Sequence, residues 1–136
     1  MYAWLVGRFL RVAYAQAAVG NARLVNLLAA DDIEFTFAGE GVFGGTYRGK
    51  GELNAWLDRW SALEPQLVVK DVVVSGPPWA MRIAMRFSDT IGDDYANEGV
   101  EYIVSRGFRV RSIRVFLDTQ VVAEWEARHP ELTVAG

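Results

Sequence analysis

The chain has no cysteine and a single histidine, His129. Disulfide scaffolds and thiolate metal sites are therefore excluded. A cluster of histidine ligands is excluded too, and a Ser-His-Asp arrangement would have to use one residue in the C-terminal tail. Basic charge is also short. Fourteen Lys and Arg stand against seventeen Asp and Glu, a formal net charge of −3. No basic patch alternates with aromatic residues, so nothing points to nucleic acid. Gly39, Gly41, Gly44 and Gly45 do not make a phosphate loop, because no Lys-Ser/Thr follows at the needed spacing. No metal or organic cofactor is implied.

Apolar residues are plentiful. They make up 51% of 136 residues, with 5 Trp, 5 Tyr and 7 Phe. That fills the core of one domain and leaves a surplus, which suits an aromatic-lined ligand cavity or an interface. Tyr2–Val19 is apolar, and Ala15-Gln16-Ala17 is like a signal-peptidase site. Arg8 and Arg11 interrupt the apolar run, and it is too short and too charged to span a bilayer comfortably. It reads as an amphipathic first helix of a cytoplasmic, non-membrane protein.

Apolar spacing predicts helices over about 2–18, over Ala22–Ala29 with Asn21 as cap, and over about 51–63, where Leu53, Trp56, Leu57, Trp60 and Leu63 form one stripe. Asp31–Asp32 punctuates. Strand composition marks Ile33–Ala38, a short piece at Thr46–Gly49, Val68–Ser75, Trp79–Phe87, Tyr95–Arg106 and Phe108–Leu117. Ser88–Asp94 reads as a loop. Residues 119–128 read as a last strand segment and a short helix ended by Pro130. Trp79, Met81, Ile83, Met85 and Phe87 alternate onto one face, which must meet either the interior or a partner. Helices first and hairpin-linked strands after them predict a single α+β domain with a mainly antiparallel sheet.

That order resembles the NTF2-like superfamily and, within it, the SnoaL-like group. The resemblance spans nearly the whole chain. It rests on Ala30–Phe35 (ADDIEF), Gly45–Leu57 (GTYRGKGELNAWL), Tyr95–Val100 (YANEGV) and Arg114–Gln120 (RVFLDTQ). It implies a cone-shaped α+β barrel, a curved sheet wrapped round the helices, a deep apolar pocket and a homodimer. The activities it implies are isomerisation, epoxide hydrolysis, polyketide cyclisation or non-catalytic binding.

Asp118 is the residue that these activities turn on. It sits in an apolar strand, where Asp is depleted and costly to bury. Epoxide-hydrolase-like members pair such an aspartate with an arginine, here Arg82, and with a second aspartate two residues on, here Ala84. Ketosteroid-isomerase-like members need a base near Thr36–Phe37 and a helix tyrosine; Tyr14 lies one residue out of that register. Cyclase-like members need one aspartate, and Asp118 alone supplies it. The expected site is therefore Asp118 as acid/base with Arg82 or Asn97 as polar partner. Tyr14, Phe37, Tyr47, Trp56, Trp60 and Phe116 are its candidate walls. The plain alternatives are that Asp118 caps a helix over 119–128 or pairs with Arg114, that Arg82 faces solvent, that Asn97 is a turn residue, and that Trp56 and Trp60 are core. The function expected is acid/base chemistry on a small apolar or amphipathic molecule. The alternative is a non-catalytic ligand-binding or dimerisation module.

Overall fold

The computed structural model describes residues 2–132. Helix α1 (Tyr2–Ala18) and the one-and-a-half-turn α2 (Arg23–Leu28) lead into strand β1 (Ala29–Phe37) and the short β2 (Gly45–Arg48). Helix α3 (Gly49–Ser61) follows. Strands β3 (Gln66–Ser75), β4 (Arg82–Ile91), β5 (Tyr95–Arg106) and β6 (Arg109–Leu117) then run in sequence, and α4 (Thr119–Arg128) ends the fold. Asn21 flanks α2 as expected: its Oδ1 accepts from the Arg23 N–H at 3.2 Å, although Ala22 is the capping residue.

The six strands form one sheet in the order β2-β1-β6-β5-β4-β3. All neighbours are antiparallel except β1 and β6, which run parallel. The sheet is curved but does not close: β2 and β3 are its two edges. The inner face packs on α1 and α3. Leu53, Trp56, Leu57 and Trp60 form the buried stripe of α3, as their 3.6-residue spacing requires.

Three boundaries differ from the sequence reading. Strand β1 starts at Ala29 and runs through Asp31–Asp32, with an irregular register between Ala29 and Glu34 that leaves both aspartates exposed. Residues 119–128 are helix throughout. Most consequentially, β4 begins at Arg82 and continues to Ile91, because β3 is long enough to pair Gln66 with Thr90 and Leu67 with Asp89, and β5 pairs Tyr95 with Ile91 on the other side. Residues 88–91 are thus strand, and only residues 92–94 turn. Trp79 falls in the preceding turn and is exposed, whereas Ile83, Met85 and Phe87 are buried in the core. The alternating apolar face therefore meets the interior. Among the described residues no helix is long and apolar enough to cross a membrane.

Candidate functional site

Extending β4 to Ile91 carries the alternation two residues beyond Phe87 and turns Asp89 inward. On the neighbouring strand the same period of two buries Tyr95, Asn97, Glu101, Ile103 and Ser105. Across the ladder Asp89 faces Asn97, Phe87 faces Gly99 and Met85 faces Glu101. Two carboxyls thus share one inward face, separated by the Phe87–Gly99 pair. Gly99 is required there: a Cβ would lie 2.9 Å from the Phe87 ring and 2.1 Å from the Phe116 carbonyl oxygen.

Both carboxyls line an inner chamber of about 50 Å³ whose other walls are apolar or aromatic, Tyr14, Trp56, Trp60 and Phe87 among them. Asp89 is 6% exposed and Glu101 is 3% exposed. The Tyr14 phenol donates to Glu101 Oε1 at 2.9 Å. Glu101 Oε2 and Asp89 Oδ1 are buried with no hydrogen-bond partner among the described residues. A second, outer chamber of about 280 Å³ adjoins the first and shares Tyr14, Val25 and Ile113 with it. Its lining is apolar apart from Tyr14 and Ser105.

Burial sets the electrostatics. Loss of water pushes Asp89 up to about 7, opposed by the Trp60 side chain. Burial also raises Glu101 to about 7; the Tyr14 hydrogen bond opposes the rise and the charge of Asp89 adds to it. Tyr14 is raised well above the ordinary phenol value by burial first and by Glu101 second. Tyr95 is raised to about 12, again chiefly by burial. Near neutral pH the two carboxyls therefore sit where each can give or take a proton, while the phenols stay protonated as donors.

The structure brings together Tyr14, Phe37, Trp56 and Trp60, which all line the inner chamber. Their expected polar partners lie elsewhere. Asp118 caps α4: its Oδ1 accepts from the N–H groups of Gln120 and Val121 at 3.0 and 3.3 Å. It makes no ion pair with Arg114, whose guanidinium lies over Phe116 instead. Replacing Asp118 with Ala should then cost about 1 kcal/mol of stability, the usual loss of a helix cap. A loss above about 3 kcal/mol in urea unfolding would contradict a capping role. Arg82 is on the outer, solvent side of β4 and donates to the Tyr102 hydroxyl at 3.0 Å. Asn97 is buried, but its amide is fully used. It donates to the Tyr95 hydroxyl and the Asp118 carbonyl, and accepts from the Glu98 and Asp118 N–H groups. It ties β5 to the start of α4. Tyr47 donates to the carbonyls of Phe43 and Gly44 and lines neither chamber. Phe116 is half exposed on the outer face.

Asp89 and Glu101 are the residues that the sequence reading passed over. For Glu101 a signal was there: it falls on the same alternate positions as Tyr95 and Ile103. For Asp89 no local signal was available, since Ser88–Asp94 has loop composition. Among the described residues no group of three or more His, Cys, Asp or Glu could hold a metal ion.

No protein-family model matches the chain, and no curated protein matches it. Solved structures do. An NTF2-like protein from Burkholderia xenovorans LB400 is 21% identical with a TM-score of 0.65, covering 86% of this chain and 92% of that one. TerC, co-crystallised with polyporic acid, is 16% identical with a TM-score of 0.71, covering 86% and 94%. A candidate isomerase from Rhodopseudomonas palustris is 15% identical with a TM-score of 0.63, covering 88% and 93%. At these identities the likeness shows the fold: the chain is folded as NTF2-like proteins are.

Proposed function

Within an NTF2-like fold, whose activities are set by the cavity and not by the architecture, we propose that this protein carries out acid/base chemistry on a small, largely apolar molecule. The carrying observation is the pair of buried carboxyls, Asp89 and Glu101, each with an oxygen free to meet a ligand. Glu101 is oriented by Tyr14. With both groups near neutrality, one carboxylate removes a proton while the other, still protonated, returns one. That is the requirement of an isomerisation or cyclisation, and it also serves hydrolysis if water enters. The roles given above to Asp118, Arg82 and Asn97 pass to Glu101, Asp89 and Tyr14, because the former three are occupied in a cap, a surface contact and a clamp. The neighbours described as a candidate isomerase and as a complex with polyporic acid support a small-ligand reading. So does the sequence resemblance to SnoaL-like proteins. The second reading, a binding module without turnover, is favoured by the outer chamber, which holds no titratable group except Tyr14.

A probe that needs only a base separates them. The carboxylate should open 5-nitrobenzisoxazole by removing its ring proton. Glu101→Gln is expected to lower the rate by about 10²-fold, within the range of a positioned general base. A rate equal in the wild type and in D89N/E101Q would leave the binding module.

The homodimer also belongs here. Val73, Val100 and Phe116 are exposed on the outer sheet face, Val100 paired directly with Phe116 in the ladder. A second copy seated on this face would cover them. Light scattering at micromolar concentration is expected to give twice the chain mass of 15.2 kDa; a monomer would remove the dimer.

A further inference from the structure

Several acids at the surface of this protein have cations beside them. Asp31 pairs with Lys50, Asp32 with Arg111, Glu34 with Arg48, Asp71 with Arg86, and Asp94 with Arg128 and His129. Glu126, which is buried, lies outside both chambers and accepts from the Val42 N–H at 2.6 Å. Asp89 and Glu101 have no such arrangement. No Lys, Arg or His lines either chamber; the side-chain donors beside the two carboxyls are neutral, the Tyr14 phenol at Glu101 and the Trp60 indole at Asp89. A carboxylate kept in apolar surroundings needs a counter-charge or a full set of hydrogen bonds. The protein supplies neither to Asp89 Oδ1 and Glu101 Oε2.

The walls supply the other half of a cation site. Trp56 and Trp60 stack with ring centroids 6.0 Å apart, and Phe87 and Tyr14 stand on other walls of the same chamber. Aromatic faces attract ammonium groups, most strongly when water is excluded. An ammonium group needs about the space of one water, roughly 10–15 Å³ by the same measure, and the inner chamber has about 50 Å³. The outer chamber, of about 280 Å³, adjoins it across Tyr14, Val25 and Ile113 and has an apolar lining. We propose that the two chambers together bind a lipophilic primary amine in its protonated form, with the ammonium group at Asp89 and Glu101 and the hydrocarbon tail in the outer chamber. This rests on the reading of the cavity as a ligand site, and not on turnover. It also fixes what the cavity refuses: a carboxylate or phosphate head would face two acids and no base.

The groups that govern the pH response are few. Asp89 comes from β4, Glu101 and Tyr95 from β5 and Tyr14 from α1; α3, β1 and β6 present no titratable side chain to the inner chamber, and α3 adds the Trp60 indole beside Asp89. Amine binding needs the carboxylates ionised, so affinity rises as pH climbs through about 7.

The test uses a matched set, octylamine, 1-octanol and octanoate, followed by tryptophan fluorescence at about pH 8. About 0.5 M NaCl suppresses attraction of the amine to the acidic surface, the Debye length then being a few ångströms. Octylamine is expected to bind at least about tenfold more tightly than octanol, and octanoate most weakly. D89N/E101Q should lose the amine preference and keep octanol, which also shows that the variant is folded. Octylamine should weaken at about pH 5 while octanol does not. If octanol binds wild type as tightly as octylamine, or if D89N/E101Q retains the amine preference, the amine proposal falls and the ligand cavity stands. If none of the three binds, both fall.

Discussion

Unfolded in urea at pH 8, the protein is expected to be several kcal/mol less stable than at pH 5, the reverse of what paired surface acids would produce. Asp89 and Glu101 are raised to about 7 from ordinary values of 3.8 and 4.5. Between those values the unfolded chain has released two protons that the native state still holds. Stability therefore falls as pH rises through this window and levels off above about 7. From pH 5 to pH 8 each carboxyl accounts for about 2–3 kcal/mol, at 1.36 kcal/mol per pH unit. His129, raised by its contacts with Asp94 and Glu131, contributes in the same direction, since its stabilisation is present below its unfolded value and lost above its folded one. The variant D89N/E101Q isolates the interior term. It should flatten most of the slope and be more stable than the wild type at pH 8. A wild-type curve that is flat or rises over this range would mean that the two carboxyls are not buried as described.

Truncation of Trp56 is expected to be the most damaging single change in the chamber wall, at about 3–5 kcal/mol for Trp56→Ala, as for other large aromatic deletions from a core. Trp56 is 5% exposed. Its ring meets Phe35 edge-on at 4.7 Å, Phe43 at 5.8 Å, Phe37 at 5.2 Å and Trp60 at 6.0 Å. Its indole N–H donates to the Phe43 carbonyl at 3.0 Å. That carbonyl also accepts from Tyr47, so it keeps a partner when the indole is removed. The loss is then mainly one of packing, and Trp56→Phe should recover much of it. Urea midpoints for the three proteins decide this. A Trp56→Ala protein within about 1 kcal/mol of wild type would show a wall that collapses freely, and the chamber would then not be a fixed space.

The fold could be read from the sequence because its long elements obey their periods. The stripe on α3 is an instance, and so is the burial of Ile83, Met85 and Phe87 on alternate positions. Half of the chamber was legible for the same reason: Tyr14, Phe37, Trp56 and Trp60 are large apolar-faced residues on regular elements. Its polar half was not. Asp118 drew attention because a carboxylate beside Leu117 looks buried, yet the strand ends at Leu117 and Asp118 caps the helix that follows. Asp89 was hidden by the opposite error. Ser88–Asp94 has the composition of a turn, and it is the length of the flanking strands β3 and β5 that holds residues 88–91 in the sheet. Both misreadings concern where a strand stops, which depends on the neighbouring strand more than on the residues at the end. Tyr14 was expected as a wall, and only its role as a donor was discounted for a one-residue register difference. Its phenol does donate here, to Glu101 on β5.

The parallel pairing of β1 with β6 also governs when the protein can fold. Phe35 lies beside Ile113 and Phe37 beside Val115, close to eighty residues apart in the chain. Such remote pairings carry a large loop-closure cost and slow the folding transition. A ribosome making this chain has completed β1 and β2 long before β6 emerges. Until then β1 has its β2 side filled and its other side open, with Phe35 and Phe37 lacking their neighbours. The central hairpins β3–β4 and β4–β5 need only local closure and can assemble during synthesis. The chamber itself, which takes walls from β1 and β6 alike, comes into existence last.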